Sequence, residues 1–365
     1  MRSAHFQRTG YLKNATVLLL TVAFLFWWGG ARPLPVSAET AAVSDPAAIL
    51  AAGLAACREV IDLRDASLPV SELGRVYQAL LLDRPELFHV APRLSYGYTD
   101  RSGVRTVTEV YPVYTLTGEA LTAARALYRD TVTAILTEME AVFGDCPRTE
   151  ADTVLYLHDY LAHRYAYDTR PDAEANANAY ALFRDGVGIC QAYALAFLAL
   201  CRGAGLEADV VVSPAMDHAW NHVRVDGEWY HADVTRDDPI PAEGGSPAVN
   251  HTRLLRSDGG MAALGYYGYS CPVEHTCTSD RFETAEGGAV LGNFTQALRF
   301  WGGVWMGMDG SRGVVAAKTQ KDGIFIGQVG DVDLNSEVDP ADLLAVYDPS
   351  LPEAWREGVR RRLVE

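Results

Sequence analysis

The sequence predicts an α+β fold, because helical patterns dominate the first half of the chain and patterns typical of an antiparallel sheet follow. Apolar residues recur at helical spacing over residues 44–84 and again over 118–168. Beyond residue 205, short alternating runs separated by turn residues replace that spacing. With 365 residues, of which 49% are apolar, the chain is long enough to form two domains or one large one.

Residues 1–38 are predicted to be a signal peptide rather than part of the fold. Basic residues precede the apolar run ATVLLLTVAFLFWW, and the small residues VSA at 36–38 suit cleavage before Glu39. An uncleaved membrane anchor is the alternative, since residues 15–31 fall just short of the roughly 20 residues that span a bilayer. In both cases we expect the rest of the chain to be extracellular, secreted or held at the cell surface. Contact with a membrane is expected only if the segment stays uncleaved.

The net charge excludes one class of partner. The full chain carries −16, and removal of residues 1–38, which hold four basic and no acidic residues, brings the charge to −20. Phosphate binding needs a basic surface, so we expect no nucleic-acid partner.

Residues 39–145 are predicted to form an extension of helices and one hairpin. Helical spacing in AAILAAGLAACREVIDL and VSELGRVYQALLLDRPELF is followed by LSYGYTDRSGVRTVTEVYPVY, which alternates around a polar turn. The run GEALTAARALYRDTVTAILTEMEAVF then predicts a long helix, and TEADTVLYLHDYLAHRYAYD predicts the next one. His158 and Asp159 on that second helix are expected to be a satisfied structural pair.

Two cysteines lie on the helix predicted from GVGICQAYALAFLALC. Cys190 occupies its first turn, after Gly186 and Gly188, where the positive end of the helix dipole stabilises a thiolate. Cys201 comes eleven residues later, about three turns, and therefore lies on the same face at the negative end. Cys190 is the candidate nucleophile, and Cys201 is predicted to be a core thiol.

The cysteine count bears on redox state. Outside the cell, six cysteines would ordinarily indicate three disulfides, but a catalytic thiol leaves five for pairing. We expect Cys271 to pair with Cys277, and the remaining pairing stays open.

A predicted hairpin supplies partners for the Cys190 thiol. In HAWNHVRVDGEWYHADVT, a two-residue turn at Asp226 and Gly227 places His218 and Asp233 on the same face of neighbouring strands, one diagonal step apart. A three-residue turn would reverse that parity. With the two-residue turn, an imidazole base and an orienting carboxylate are in reach of each other, and a thiolate opposite them completes a Cys–His–Asp triad.

The other aromatic and histidine residues of the hairpin have weaker assignments. His218 and His222 have the spacing of a helical zinc motif, but on a strand they are separated by roughly 13 Å, too far for one metal. His222 and His231 are expected to form a cross-strand surface pair or a pair on the substrate side. Trp220, Trp229 and Tyr230 are expected to lie in the core or in the wall of a substrate cleft, with the core as the default, and Trp220 and Trp229 are the candidates for substrate binding.

These segments resemble the transglutaminase-like superfamily, and the resemblance covers roughly residues 80–285. GVGICQAYA and HAWNHVRVDGEWYHADVTRDDP carry it, and DRPELFHV, YPVY, LHDYLAHRYAYD, NAYALF and CTSDRF are similar to a secreted bacterial branch. The resemblance implies a papain-like core over residues 146–285, with Cys190 as nucleophile, His218 as base and Asp233 as orienting acid. Arg236 departs from the tryptophan usual in this branch, which puts the cleft wall after Asp233 in doubt.

That family acts on amide bonds of proteins or peptides through a thioester, without a cofactor for catalysis. The resemblance therefore implies a peptidase or amidase, or an acyltransferase to amines. Tyr180 is our candidate for the second donor to the oxyanion, beside the Cys190 backbone N–H. A non-catalytic binding module at the cell surface is the alternative function.

Residues 286–328 are predicted to be a short β-rich segment, and residues 329–365 carry a last motif. Oxygen-bearing side chains in DVDLNSEVDPAD have the loop spacing of a calcium site and comprise Asp331, Asp333, Asn335, Asp339 and Asp342. The loop resembles one repeat of a dockerin, which implies docking onto a cohesin-bearing scaffold. Ser336 replaces the glycine of the sharp turn and only one repeat is visible, so a solvated acidic turn remains the alternative.

Overall fold

The computed structural model describes residues 18–21, 45–170, 176–238, 248–283, 291–308, 314–320 and 323–332, with single positions beyond them. Except for a four-residue strand, Leu18–Thr21, the predicted signal peptide lies outside the described residues. Among the helices in the described part of the chain, none combines the length and apolar composition needed to cross a bilayer.

The described residues divide into two compact units between Leu121 and Thr122. The first unit packs the two predicted helices against a four-stranded antiparallel sheet, in which the predicted hairpin supplies the two central strands and an edge strand lies within the predicted signal peptide. Its helices are α1 (Pro46–Ala55) and α2 (Val70–Asp83), and its strands are β1 (Leu18–Thr21), β2 (Ile61–Asp62), β3 (Val90–Arg101) and β4 (Val104–Tyr114). The strand order is β1-β3-β4-β2.

Local sequence explains the ends of these elements. The Asp45 side chain accepts a hydrogen bond from the Ala47 N–H and so caps α1, whose first residue is Pro46. Ser102 and Gly103 both have positive φ, which is the backbone that a tight two-residue turn between β3 and β4 requires. The buried core of this unit includes Leu54, Leu73, Tyr77, Val107 and Val110.

The second unit contains six helices of the described residues and three sheets. The helices are α3 (Gly118–Phe143), whose first turn precedes the division, α4 (Glu150–Arg164), α5 (Ala179–Asp185), α6 (Cys190–Gly203), α7 (Val234–Asp237) and α8 (Asp258–Ala263). The strands are β5 (Ala166–Tyr167), β6 (Val187–Gly188), β7 (Ala208–Ser213), β8 (His218–Val225), β9 (Glu228–Ala232), β10 (Leu254–Arg256), β11 (Arg299–Trp301), β12 (Val304–Met308), β13 (Val314–Gln320) and β14 (Gly323–Val329).

The central sheet of the second unit has the order β10-β9-β8-β7, and helix α6 packs against it. In the predicted hairpin, β8 pairs with β9 so that Val225 lies opposite Glu228 and His222 opposite His231. The predicted register is therefore confirmed. Asp226 and Gly227 have φ values of 50° and 90°, as the two-residue turn requires. The α+β class is confirmed as well.

The last sheet, β11-β12-β13-β14, is joined to the amino end of α4 by a buried carboxylate. Asp152 belongs to a capping box with Thr149, and its Oδ1 also accepts hydrogen bonds from Trp305 Nε1 at 2.7 Å and Thr319 Oγ1 at 2.6 Å. The Phe143 ring at the end of α3 contacts Trp305 with ring centroids 5.9 Å apart. Residue 145, where we predicted a domain boundary, thus lies within the second unit.

Candidate active site

Cys190 is the first residue of helix α6 and follows a turn that contains two glycines, Gly186 and Gly188. Gly186 ends α5 with a φ of 75°, which favours glycine. A Cβ added to Gly188 would lie 2.8 Å from the Ala192 Cβ and 3.0 Å from Leu182 Cδ1, so this position has no room for a larger residue. Cys190 itself is half-buried at the amino end of the helix.

The first residue of β8 supplies the imidazole. Asp217, in the left-handed region with a φ of 50°, turns the chain into the strand, and His218 follows it. The His218 ring stacks against Trp220, with centroids 5.6 Å apart and planes 24° apart. His218 is buried apart from 5% of its surface, so its position is fixed by packing as well as by hydrogen bonds.

Asp233 follows β9 and is fully buried, with both carboxylate oxygens engaged. Its Oδ1 accepts the backbone N–H of Arg236 at 3.1 Å, which caps the short helix α7. Its Oδ2 lies 2.6 Å from His218 Nε2 and also accepts a hydrogen bond from the Tyr266 hydroxyl. The carboxylate is therefore held by three groups, one of which is the His218 imidazole.

The structure brings the three predicted residues into one line. Because His218 Nε2 is bonded to Asp233, the other ring nitrogen, Nδ1, is left for the side-chain hydrogen bond that His218 shares with Cys190. Burial lowers the pKa of His218, but the Asp233 carboxylate and Cys190 raise it by more, to about 9. Burial would raise the pKa of Asp233, but the His218 charge and the hydrogen bonds it accepts bring it below its usual range. At neutral pH the pair is therefore an imidazolium and a carboxylate.

Cys201 occupies a different environment at the far end of α6. Its side chain is fully buried, and burial raises the pKa of its thiol. It therefore has the inert, protonated character of a core thiol, as its place at the negative end of the helix predicted. All six cysteines are present as thiols in the structure, so the expected Cys271–Cys277 bond is not formed here.

Sequence reasoning missed Tyr266, which shares the Asp233 carboxylate with His218. Tyr266 is buried, and its ring contacts Trp220 edge-on at 5.1 Å. The Arg236 guanidinium lies 4.8 Å from the centroid of the Tyr266 ring, so the arginine that departs from the family pattern packs on this tyrosine. No spacing rule could have found Tyr266, because it lies in a loop 33 residues after Asp233.

Tyr167 is a second residue that sequence reasoning missed. Strand β5 pairs it with Gly188 of β6, two residues before Cys190. Burial raises the pKa of the half-buried Tyr167 hydroxyl, and the neighbouring Cys190 and Asp217 raise it further. Tyr180, our candidate second oxyanion donor, instead lies beside Arg184, whose guanidinium is 5.2 Å from its ring centroid.

The two tryptophans proposed as cleft wall occupy other positions. Trp220 is only 1% exposed, and its Nε1 donates to His231 Nδ1 at 2.9 Å, so it belongs to the core behind His218. Trp229 lies opposite Arg224, six residues along β8 from His218 and thus about 20 Å away. Its ring stacks on His275 with centroids 3.6 Å apart. Neither tryptophan is placed to contact a substrate at Cys190.

His222 and His231 do pair across the strands, with ring centroids 4.4 Å apart, but both are buried rather than on the surface. The segment 266–277 covers this face of the sheet, which the hairpin sequence by itself could not reveal. Burial, and then the neighbouring imidazoles of His231 and His275, lower the pKa of His222 to about 3.

His158 and Asp159 are the hydrogen-bonded structural pair that was expected. His158 Nδ1 lies 2.8 Å from Asp159 Oδ1, and both side chains are buried. Asp159 also accepts from His251 Nε2 at 2.8 Å and from the Leu298 N–H at 2.6 Å, so the pair joins α4 to two later segments.

Of the five predicted calcium ligands, Asp331 and Asp342 fall among the described residues. Asp331 and Asp342 are fully buried, and Asp342 Oδ1 accepts the Val332 N–H at 2.7 Å. Asp333, Asn335 and Asp339 lie outside the described residues.

Residues 142–234 match the model of the transglutaminase-like superfamily. Two solved structures with distant similarity are a TGase and a candidate cysteine protease from Cytophaga hutchinsonii. The first is 16% identical over 38% of this chain and 43% of that chain, with a TM-score of 0.27. The second is 16% identical over 42% of this chain and 60% of that chain, with a TM-score of 0.25. The chain thus spans less than two thirds of the length of either structure.

A search of curated proteins returned no match. The solved structures are too distant for their activities to be assigned to this chain. The family match, in contrast, covers the segment that contains Cys190, His218 and Asp233. Residues 142–234 therefore form a transglutaminase-like domain.

Proposed function

We propose that the protein is an exported cysteine enzyme that cleaves amide bonds of proteins or peptides through Cys190. The Cys190 thiolate attacks the amide carbonyl, and His218 donates its proton to the leaving amine as the C–N bond breaks. A thioester joins the acyl group to Cys190. Neutral His218 then removes a proton from the acceptor, whose oxygen or nitrogen displaces the sulfur and restores the thiolate and the imidazolium.

The nature of the acceptor decides the product. Water gives the carboxylic acid, as in a peptidase or amidase. A primary amine gives a new amide, as in an acyltransferase that forms isopeptide bonds. Both reactions use the same three residues, so the proposal covers both outcomes.

One observation carries this proposal: the buried hydrogen-bonded line from Asp233 through His218 to the half-exposed Cys190. Asp233 keeps a proton on His218 Nε2, which directs Nδ1 at the sulfur. The negative charge that develops on the carbonyl oxygen needs hydrogen-bond donors. We assign these to the Cys190 backbone N–H and to the Tyr167 hydroxyl, which the β5–β6 pairing brings beside the cysteine.

Mass spectrometry of protein substrates, incubated with and without a primary amine, tests the proposal. Cleavage, deamidation and amine incorporation each leave a different mass, and each must disappear in Cys190→Ala. Cys146→Ala is the matched control, since Cys146 is another half-buried cysteine of the same unit. If all substrates remain unchanged while Cys190 still reacts with an alkylating reagent, the chain is a binding module and the enzymatic proposal is wrong.

We further propose that the C-terminal loop binds calcium and docks the enzyme onto a cohesin-bearing scaffold. The spacing of the oxygen-bearing side chains supports the calcium site, and Asp331 and Asp342, the first and last of them, are both buried. These two side chains would hold the ion together with Asp333, Asn335 and Asp339. Calcium has a structural role there and takes no part in amide chemistry.

Calorimetry on the full mature chain tests calcium binding. We expect binding that Asp331→Asn weakens strongly and that Asp65→Asn, an exposed acidic residue of the first unit, leaves unchanged. The absence of binding at millimolar calcium, or equal binding by the two variants, would refute the calcium site. Capture on an immobilised cohesin with and without calcium tests the docking step separately.

A further inference from the structure

A second cluster of chemistry-bearing side chains lies on the face of the central sheet that carries His218. His222 of β8 and His231 of β9 project from the strands, and Asp258 at the start of α8 and Cys277 from the following loop meet them. One potential ligand atom from each of these four residues lies within 4.8 Å of the others. His222, His231 and Cys277 are buried, and Asp258 is half-buried.

His222 has an unusual environment for a buried polar side chain. It is 2% exposed, and among the described residues neither ring nitrogen has a hydrogen-bond partner. Buried polar groups are nearly always hydrogen-bonded, because losing water without replacement is unfavourable by about 1–3 kcal/mol. With no carboxylate bonded to it, the ring is neutral and keeps a lone pair, which is the form in which imidazole binds a metal.

The hydrogen bonds of His231 give it a different role. Trp220 Nε1 donates to His231 Nδ1 at 2.9 Å, so Nδ1 accepts through its lone pair and the ring proton is on Nε2. That Nε2 lies 2.9 Å from Asp258 Oδ1 and donates to it. His231 therefore has no lone pair to offer, and it orients the carboxylate of Asp258 instead.

Asp258 is fixed by further contacts that leave it ionised and directed at the cluster. Its Oδ1 also accepts the Tyr269 hydroxyl at 3.0 Å, and its Oδ2 accepts the Cys277 N–H at 2.9 Å. The same contact holds the Cys277 backbone, and with it the Cys277 sulfur, beside the carboxylate. This is the arrangement of a metal ligand supported by outer hydrogen bonds.

We propose that His222, Asp258 and Cys277 bind one zinc ion. A nitrogen, an oxygen and a sulfur donor together suit zinc and do not suit calcium or magnesium, which take oxygen ligands. Binding converts the Cys277 thiol to a thiolate and releases one proton. Water would complete the four-coordinate site.

The position of the ion explains what it does for the protein. It ties α8 and the loop around Cys277 to the hairpin that carries His218. The covering segment between them contains Tyr266, which donates to Asp233. Zinc thus holds in place a segment on which the catalytic carboxylate depends, while the ion itself is separated from His218 by Trp220.

The test uses the full mature chain, expressed with zinc and transferred into metal-free buffer. We expect one zinc per chain by elemental mass spectrometry, and His222→Gln and Cys277→Ser to lose it. Cys146→Ser, a half-buried cysteine elsewhere in the same unit, is the matched control and must retain the metal. Replacement of zinc by cobalt(II) should give the absorption of a thiolate–cobalt bond in the wild type and in Cys146→Ser, and Cys277→Ser should lack it.

The stability of the same proteins gives an independent readout. Zinc should raise the Tm of the wild type and of Cys146→Ser, and it should leave the Tm of Cys277→Ser unchanged. The proposal is overturned if the wild type holds no zinc and cobalt gives no thiolate band. It is also overturned if peptide mapping of the wild type finds Cys277 in a disulfide with Cys271. None of these outcomes depends on amide-cleaving activity, so they leave the proposed function untouched.

Discussion

Replacing Asp233 by asparagine tests the electrostatic arrangement at Cys190 most directly. The substitution keeps the size of the side chain and removes the charge that faces His218 Nε2 at 2.6 Å. Without that charge, burial is the dominant influence on the imidazole and disfavours its protonated form. We therefore expect His218 to be neutral at pH 7 in Asp233→Asn.

The structure sets the size of the effect. The pKa of His218 is about 9 instead of the ordinary 6.5, and that difference corresponds to about 3 kcal/mol in favour of the imidazolium. Loss of this stabilisation should slow alkylation of Cys190 at pH 6 by about 10²-fold or more. Turnover should fall further, by about 10³–10⁴-fold, because an asparagine amide also permits the imidazole tautomer that cannot act as base.

The assay is the rate of iodoacetamide labelling of Cys190, followed by peptide mass mapping between pH 5 and 10, together with turnover on a confirmed substrate. Asp237→Asn is the matched control, since Asp237 is also fully buried and lies four residues away, where it holds Arg253 rather than His218. It should lower stability without the same loss of labelling. If folded Asp233→Asn labels at pH 6 within about threefold of the wild type and keeps its turnover, the proposed ion pair does not operate.

Three further predictions follow from the same contacts. Cys190→Ala should abolish turnover, whereas Cys201→Ala should retain it. Cys201→Ala should lose about 1–2 kcal/mol of unfolding free energy in urea, because Cys201 is fully buried and its truncation leaves a small cavity. Equal inactivation by the two variants would contradict the assignment of Cys190 as nucleophile. The His218 pKa is raised on folding, so the contribution of His218 to stability is complete below pH 6.5 and is lost as pH rises through about 9, while protonation of Asp233 removes it in acid. The difference in urea midpoint between the wild type and His218→Gln should therefore be largest between about pH 4 and 6.5. A difference that does not change with pH would count against the ion pair. Tyr167→Phe should lower kcat by about 10–10²-fold with little change in KM, because the lost hydroxyl donates to the developing oxyanion, and Tyr180→Phe should be close to wild type. A larger loss of kcat in Tyr180→Phe than in Tyr167→Phe would restore Tyr180 as the donor.

Local sequence was sufficient for the elements that carry the site. The long helix predicted from GEALTAARALYRDTVTAILTEMEAVF has the observed bounds Gly118–Phe143. The hairpin register followed from the turn at Asp226 and Gly227, because strand side chains alternate with a period of two. That period by itself places His218 and Asp233 on one face of the sheet. Helix polarity likewise separated Cys190 from Cys201.

Alternation along a strand cannot tell which face will be covered, and this is where the sequence fell short. Trp220, His222 and Trp229 share the face of His218, and their exposure depends on the segment 266–277 that lies across them. That segment is irregular and distant along the chain, so no local spacing predicted its course.

The sequence by itself determined the α+β class, the hairpin register and the positions of Cys190, His218 and Asp233 within their elements, because each follows from a local period or turn. Only the tertiary structure decided that Tyr266 donates to Asp233, that Tyr167 lies beside the cysteine, and that His222 is buried next to Cys277. These contacts join residues far apart in sequence. They form only when loops pack onto the sheet. The side chains that stabilise this packing come from several segments of the chain, so the pattern of one segment cannot predict it.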